Sequence, residues 1–295
     1  ERSDDRVDPA ALASQFVGMG KDLYDEHSQA IELFQQADEI LGFSLSETMF
    51  TGTEEELKAT NVTQPAVFVH SMAKLRCADG LADPDAVAGH SLGEFSALVA
   101  AGVLQFEDAL PLVAKRADEM QKACLLTEST MAAIIGLEDA QVEQICKETE
   151  GVIVAANYNC PGQLVVSGSK EAITAAIVTF KEAGARMAVE LSVGGAFHSP
   201  LMEPAREGLK SAIQATNFMA PKCAIYQNVD AIAEKDPEKI KLKLIEQLTA
   251  PVKWTATLQN MLKDGCDHFV EIGGKGNVLR GMLKRIDRNI PSEAV

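Results

Sequence analysis

Ser91 is the residue whose surroundings most clearly favour chemistry, because a glycine lies two positions away on each side of it. Residues 89–93 read Gly89-His90-Ser91-Leu92-Gly93, which is the GxSxG spacing of a nucleophile elbow. Such an elbow is a sharp turn between a strand and a helix. The flanking residues predict that context, with an apolar strand over Asp85–Ala88 and a helix over Glu94–Ala101. We therefore predict that Ser91 is a nucleophile.

The two glycines of the elbow are expected to let the strand and the helix approach each other, because neither residue has a Cβ. The turn would place Leu92 at the helix N-terminus, where its backbone N–H and the helix dipole stabilise an oxyanion. The alternative is an ordinary tight turn with a small residue at its apex. The GxSxG pattern also arises by chance, and the predicted flanks are what favour the catalytic interpretation.

A serine hydroxyl needs a base to become a good nucleophile near neutral pH. The chain contains five histidines: His27, His70, His90, His198 and His268. His198 is the strongest candidate because it follows the glycine-rich stretch Val193-Gly194-Gly195-Ala196-Phe197. The alternative is a loop histidine that only hydrogen-bonds a neighbouring carbonyl. No aspartate or glutamate stands out as a third member, and a backbone carbonyl at Nδ1 could orient the ring instead.

The composition excludes several other classes of function. The chain has 295 residues, of which 46% are hydrophobic, and a formal net charge of −16. This charge opposes nucleic acid as a bulk partner. An acidic protein partner would need a local basic surface, for which Lys181 with Arg186 and one C-terminal cluster are candidates. The members of the C-terminal cluster are Lys275, Arg280, Lys284, Arg285 and Arg288.

The chain carries no apolar stretch of membrane-spanning length, and residues 1–6 do not resemble a signal peptide. Its six cysteines are dispersed, without a CxxC pair or a metal-ligand spacing. We therefore expect a cytoplasmic protein with reduced thiols, without a metal site or a cofactor, and we expect a monomer.

Helical and strand patterns alternate along the chain, which favours an α/β fold with a parallel sheet covered by helices. Helices are predicted over Gly20–Ala37 and over Ala66–Leu81, the second with Pro65 in its first turn. Within residues 130–191 the order βαββαβ is typical of the ferredoxin-like arrangement. The prediction is therefore a parallel-sheet, α/β-hydrolase-like body formed by residues 14–127 and 193–290, with an inserted ferredoxin-like α+β subdomain at 128–192.

Several motifs together resemble the malonyl-CoA:acyl carrier protein transacylases of type II fatty acid synthesis, from about Ser14 to Ile286. They are Gly89-His90-Ser91-Leu92-Gly93-Glu94, Gln64-Pro65, Ala114-Lys115-Arg116-Ala117, Asn157-Tyr158-Asn159-Cys160-Pro161-Gly162-Gln163, Gly195-Ala196-Phe197-His198-Ser199-Pro200-Leu201-Met202 and Pro251-Val252-Lys253-Trp254. The resemblance implies the same plan of a body with a ferredoxin-like insertion. The partners it implies are malonyl-CoA and a phosphopantetheinylated acyl carrier protein.

The resemblance also implies a role for each matching residue. Ser91 would carry the malonyl group as an ester, with His198 as general base and then general acid, so that the kinetics are ping-pong. A backbone carbonyl at Gln247 would orient the histidine. Arg116 would pair with the free malonyl carboxylate, because its planar fork makes bidentate, charge-assisted contacts that an acetyl group cannot use. Gln64 and Phe197 complete the implied substrate-binding set.

The N-terminus departs from the family pattern. Members of the family open on Phe-Pro-Gly-Gln-Gly-Ser-Gln, whose first glutamine supplies the second oxyanion-hole donor beside Leu92. Here Leu12 aligns with that donor, and residues 1–13 are either foreign to the native chain or a divergence from the family. Two alternatives therefore stay open beside transfer to a carrier: a serine thioesterase or hydrolase, and a carrier-binding protein whose catalysis is impaired.

Overall fold

The computed structural model describes residues 15–295, and its helices and strands alternate along the chain. The helices are α1 (Lys21–Glu26), α2 (Ser28–Leu41), α3 (Leu45–Thr51), α4 (Glu54–Lys58), α5 (Thr60–Cys77), α6 (Gly93–Ala100), α7 (Phe106–Cys124), α8 (Asp139–Glu148), α9 (Lys170–Glu182), α10 (Glu203–Ala215), α11 (Pro237–Glu246), α12 (Trp254–Lys263) and α13 (Val278–Ile286). The strands are β1 (Ala86–Ala88), β2 (Ser129–Ile135), β3 (Ile153–Cys160), β4 (Gln163–Ser169), β5 (Met187–Glu190), β6 (Ala224–Tyr226), β7 (Ala233–Glu234), β8 (Phe269–Glu271) and β9 (Ser292–Ala294). Leu12 and the predicted N-terminal segment 1–13 lie outside the described residues.

The body contains short strands that are covered by helices. β1 pairs with β6 in parallel, and β8 pairs with β9 in parallel. β7 pairs with β6 antiparallel, so this sheet is mixed rather than purely parallel as predicted. β1 is only half-buried, although its sequence is apolar. It lies between two cores, with Val87 against the largest one and Ala88 against the core of α12 and α13.

The largest core is formed mainly by α2, α5, α7 and α10. The buried face of α7 follows a helical period through Leu110, Val113, Ala117 and Met120. Arg116 lies on the same buried side of this helix, with 1% of its surface exposed. The helix that builds the core therefore also brings a cation into the interior.

Strands β2 to β5 form a separate antiparallel sheet in the order β3-β4-β2-β5, and α8 and α9 cover one face of it. Side chains of β2 alternate between the two faces, as expected for a strand. Ala132 and Ile134 pack under the helices, whereas Met131 packs on the opposite face beside Phe197. The elements follow the predicted βαββαβ order, and the domain bounds at 128 and 192 stay a prediction.

Two helix predictions were wrong in their bounds. The helix expected over Gly20–Ala37 is two helices, α1 and α2, because His27 takes an extended conformation with φ −128° between them. α5 begins at Thr60 rather than at Pro65 and ends at Cys77, so the proline lies inside it. A proline there removes one backbone hydrogen bond, and the burial of the turns that follow keeps the helix continuous. α3, α10, β7 and β9 were not predicted.

Candidate active site

Ser91 lies in a sharp turn between β1 and α6, as the GxSxG spacing predicts. Its backbone has φ 53°, in the left-handed region that non-glycine residues rarely adopt. Two hydrogen bonds close the turn: Gly93 N–H donates to His90 O at 2.9 Å, and Glu94 N–H donates to Ser91 O at 3.1 Å. The serine is therefore held in a strained conformation at the start of a helix.

The two glycines of the motif have different roles. A Cβ on Gly89 would lie 1.9 Å from the backbone oxygen of Gly93, so the strand and the helix meet only because residue 89 has no side chain. A Cβ on Gly93 would meet nothing within 4 Å. The expectation that both glycines permit this approach is right for Gly89 and wrong for Gly93, which faces open space.

His198 contacts the serine although the two residues are 107 positions apart. Its Nε2 lies 2.7 Å from Ser91 Oγ, and its Nδ1 lies 2.9 Å from the backbone oxygen of Gln247. A carbonyl only accepts, so the Nδ1–H donates to it and the lone pair of Nε2 faces the hydroxyl. This is the tautomer that a general base requires, and the orienting group is a backbone carbonyl at the residue implied by the resemblance.

The loop that carries His198 is fixed by its neighbours. Ala196 N–H donates to Ser129 Oγ at 3.1 Å, which ties the loop to the first residue of β2. Ser199 Oγ donates to Ala196 O at 2.6 Å and accepts from Leu201 N–H at 3.2 Å, at the start of the 3₁₀ helix Pro200–Met202. His198 itself has φ 56° and is 3% exposed. The side chains of Ser91 and His198 thus both extend from strained backbone.

Arg116 reaches the same hydroxyl from α7. Its Nη2 donates to Ser91 Oγ at 3.0 Å and to Gln247 Oε1 at 3.3 Å, and its Nη1 donates to Gln64 Oε1. Its Nε is buried and has no hydrogen-bond partner among residues 15–295. Nε and Nη2 form one edge of the guanidinium plane, and this edge could donate two parallel hydrogen bonds to a carboxylate.

Burial sets the protonation states of the site. The pKa of His198 is lowered to about 3; burial is the largest cause, the nearby Arg116 charge acts in the same direction, and the hydrogen bond to the Gln247 carbonyl opposes the shift. Burial also lowers the pKa of Arg116 to about 10, and the charge of Glu94 opposes this change. Near pH 7 the imidazole is therefore neutral and the guanidinium is charged.

Of the residues predicted to bind the oxyanion or the substrate, Leu92, Phe197 and Gln64 lie in the described part of the chain. The N–H of Leu92, at the start of α6, donates to no acceptor within the described part of the chain and is free to bind an oxyanion. Phe197 is half-buried and packs against both the largest core and the face of the four-stranded sheet opposite α8 and α9. Gln64 is 8% exposed and contacts Arg116. The second predicted donor, Leu12, is outside the described residues.

Sequence reasoning missed the polar side chains that surround the elbow. Glu94 is completely buried and accepts hydrogen bonds from Gln227 Nε2, Gln247 Nε2 and Asn228 N–H. Asn228 follows β6, which is the parallel neighbour of β1, so its place at the carboxyl end of that strand was a usable signal. Glu94 carried a weaker signal, because a glutamate in the first turn of a helix is common.

The remaining histidines have other surroundings. His90 points away from the serine, with Nε2 2.8 Å from Asn159 Oδ1 and its ring against Trp254. His70 is buried in α5, His27 separates α1 from α2, and His268 lies 3.5 Å from a Glu293 oxygen. His198 is the one that contacts Ser91.

The cysteines, the helices, the possible metal ligands and the C-terminal basic cluster were also subjects of sequence predictions. All six cysteines are free thiols, and Cys146, Cys160 and Cys223 are buried. Over residues 15–295 no helix has the length and apolarity needed to cross a membrane. The same range contains no group of three His, Cys, Asp or Glu placed to hold a metal ion. In the C-terminal basic cluster, Lys275, Lys284 and Arg288 are exposed.

Comparison with known proteins identifies the family of this chain. Residues 13–295 match the acyl transferase domain family. The chain belongs to that family. Among curated members, it is 42% identical to the malonyl CoA-acyl carrier protein transacylase of Staphylococcus aureus strain MRSA252, over 94% of this chain and 90% of the relative.

Solved structures of the same family match the whole architecture. The malonyl CoA-acyl carrier protein transacylase of Coxiella burnetii superposes with a TM-score of 0.92 and 38% identity, covering 95% of this chain and 90% of that one. A type II PKS acyl-carrier protein in complex with its malonyl-transacylase gives 0.92 and 38%, covering 96% and 92%. The mixed α/β fold class and the resemblance to malonyl transacylases are therefore confirmed.

The close contact between Gly89 and the Gly93 carbonyl in the elbow can be tested by its effect on stability. Gly89→Ala should destabilise the protein by about 3 kcal/mol or more, because the added methyl overlaps the Gly93 carbonyl. Gly93→Ala is the matched control and should change stability by no more than about 1 kcal/mol, since its site is open and its φ is not positive. Urea unfolding measures both. Equal midpoints for the two variants would contradict the close contact.

Proposed function

We propose that this protein transfers the malonyl group of malonyl-CoA to the pantetheine thiol of an acyl carrier protein, through a malonyl ester on Ser91. The observation that carries the proposal is the position of one hydroxyl between a base and a cation. Ser91 Oγ lies 2.7 Å from His198 Nε2 and 3.0 Å from Arg116 Nη2. The base can activate the serine, and the cation can recognise a carboxylate beside it.

In the first half-reaction, His198 Nε2 takes the proton of Ser91 Oγ while the oxygen attacks the thioester carbonyl carbon. The Leu92 N–H stabilises the negative oxygen of the tetrahedral intermediate. When the carbon–sulfur bond breaks, the imidazolium gives its proton to the coenzyme A sulfur. The products are malonyl-Ser91 and free coenzyme A, and His198 is neutral again.

The second half-reaction uses the same groups in reverse. The thiol of the carrier gives its proton to His198 Nε2 and its sulfur attacks the ester carbonyl. The ester carbon–oxygen bond then breaks, and Ser91 Oγ recovers the proton from His198. Because coenzyme A leaves before the carrier binds, the two substrates follow ping-pong kinetics.

Arg116 supports malonyl as the transferred group. The free carboxylate of a malonyl ester lies two carbons from the carbonyl on Ser91, so it stays close to the serine. The unpartnered Nε and the Nη2 that faces Ser91 Oγ form the edge that would bind this carboxylate with two hydrogen bonds. An acetyl group offers no acceptor there, so the contact favours malonyl-CoA.

Covalent labelling of the serine tests the proposed function. After mixing with malonyl-CoA and no carrier, intact mass should rise by one malonyl group, and Ser91→Ala should show no gain. Ser211→Ala, which changes an exposed serine on α10, should gain mass like the parent. Adding holo carrier should then remove the label and produce malonyl carrier. Loss of the label as free malonate, at the same rate with and without carrier, would instead identify a hydrolase.

Arg116→Lys tests the carboxylate contact. Lysine keeps the charge and loses the fork, so the preference for malonyl-CoA over acetyl-CoA should fall about 10- to 100-fold, the equivalent of one charge-assisted hydrogen bond of about 1.5–3 kcal/mol. The measurement is kcat/KM for each thioester. Arg206→Lys, at an arginine paired with Glu203 on α10, should keep the preference. An undiminished preference in Arg116→Lys would rule out the contact.

The position of His198 predicts how the rate depends on pH. Only the neutral imidazole accepts the serine proton, so protonation of His198 abolishes acylation as pH falls through its pKa. Because that pKa is lowered from 6.5 to about 3, the single-turnover acylation rate should stay nearly flat from about pH 8 to about pH 5. Rapid-quench mass spectrometry measures this rate. An acid limb with its midpoint at the ordinary histidine value would contradict the buried, neutral base.

A further inference from the structure

Glu94 contacts both halves of the active site, although it does not touch Ser91 Oγ or the His198 ring. It is the second residue of α6 and has no exposed surface. Its two carboxylate oxygens accept three hydrogen bonds, each from a different residue. Such a group either stabilises the fold in general or holds particular catalytic atoms in place.

One of these hydrogen bonds leads to the nucleophile. Glu94 Oε2 accepts the Asn228 N–H at 3.0 Å, which fixes the backbone of that residue. The Asn228 side chain then spans the elbow, with Oδ1 accepting Ser91 N–H at 2.7 Å and Nδ2 donating to Gly89 O at 2.7 Å. The strained φ of Ser91 therefore depends on an amide whose own position depends on Glu94.

A second hydrogen bond leads to the base. Glu94 Oε2 also accepts Gln247 Nε2 at 2.8 Å, and the same nitrogen donates to Ser91 O at 3.0 Å. The backbone oxygen of Gln247 is the acceptor that orients His198, at 2.9 Å from Nδ1. One carboxylate oxygen is thus shared by the residue that holds the serine and the residue that holds the histidine.

The third hydrogen bond anchors the carboxylate itself. Gln227 Nε2 donates to Glu94 Oε1 at 2.8 Å and to Ile240 O of α11 at 3.0 Å. All three partners are donors, so the site suits a group that only accepts. An amide of the same size presents one N–H₂ group, which would face a donor and break at least one of these bonds.

We propose that Glu94 is a positioning residue, which holds Ser91 through Asn228 and the His198-orienting carbonyl through Gln247, so that the two reacting atoms stay in contact. This role rests on the proposed function, because it supposes that the contact between Ser91 and His198 drives acylation. A positioning role differs from a purely structural one in what it predicts. Loss of the carboxylate should slow the chemical step and leave the binding of malonyl-CoA nearly unchanged.

Glu94→Gln tests this role with the smallest possible change. The maximal single-turnover rate of Ser91 malonylation should fall about 10²-fold, since displacement of a reacting group by about 1 Å costs that much. The half-saturating concentration of malonyl-CoA should change little. The rate is followed by rapid-quench intact mass on the full chain, beside the parent protein.

Glu271→Gln is the matched control. Glu271 is also a buried carboxylate, 8% exposed, and it accepts the N–H groups of Leu279 at 3.1 Å and Arg280 at 2.9 Å at the start of α13. This variant should lose comparable stability in urea unfolding and keep the parental acylation rate. If both variants acylate at the parental rate, or both slow equally, Glu94 has no special part in positioning.

Asn228→Ala provides the test if Glu94→Gln does not fold. It should also lower the maximal rate about 10²-fold without weakening malonyl-CoA binding. Where both single variants fold, the rate of the double variant should be close to that of the slower single variant. The two rate losses should not multiply, because both substitutions break the same connection. Parental rates in Asn228→Ala, or a change in half-saturation with the maximal rate intact, would overturn the proposal. Failure of the parent protein to form malonyl-Ser91 would instead overturn the proposed function.

Discussion

The hydrogen bond between Ser91 Oγ and His198 Nε2 is the interaction on which the whole site depends. This hydrogen bond, 2.7 Å long, joins the elbow turn to the loop that carries His198, and that loop is hydrogen-bonded to β2 of the four-stranded sheet. Neither backbone is relaxed, since φ is 53° at one residue and 56° at the other. Strain of this kind persists only where surrounding bonds hold it, which explains the dense polar network around the elbow.

Electrostatics constrain the same few atoms. A buried guanidinium is costly unless it has compensating partners. Arg116 donates hydrogen bonds to Gln64 Oε1 and Gln247 Oε1, and the negative charge of Glu94 favours its charged form. Its positive charge also disfavours an imidazolium, so it helps to keep His198 neutral. A malonyl carboxylate would give the buried Nε of Arg116 the hydrogen-bond acceptor that it lacks among the described residues.

The parts of this site that could be predicted from sequence are those encoded locally. The GxSxG spacing located Ser91, and elimination among five histidines selected His198. Local patterns could not show that Gly93 faces open space, nor that Pro65 lies within a continuous helix, because packing decides both. Asn228 and the side chain of Gln247 reach the elbow from more than a hundred residues away, so the sequence around the elbow does not indicate them.

The contact between Arg116 and the serine hydroxyl connects substrate recognition with the reactivity of the nucleophile. Nη2 donates to Ser91 Oγ at 3.0 Å and occupies a lone pair of the proposed nucleophile. A carboxylate bound to the Nε and Nη2 edge competes for that donor, and the charged acceptor is the stronger one. Binding of a malonyl group would then free the oxygen lone pair, while His198 remains in place to take the proton. A thioester without the carboxylate would leave the hydroxyl engaged, so selectivity would act on the chemical step as well as on binding.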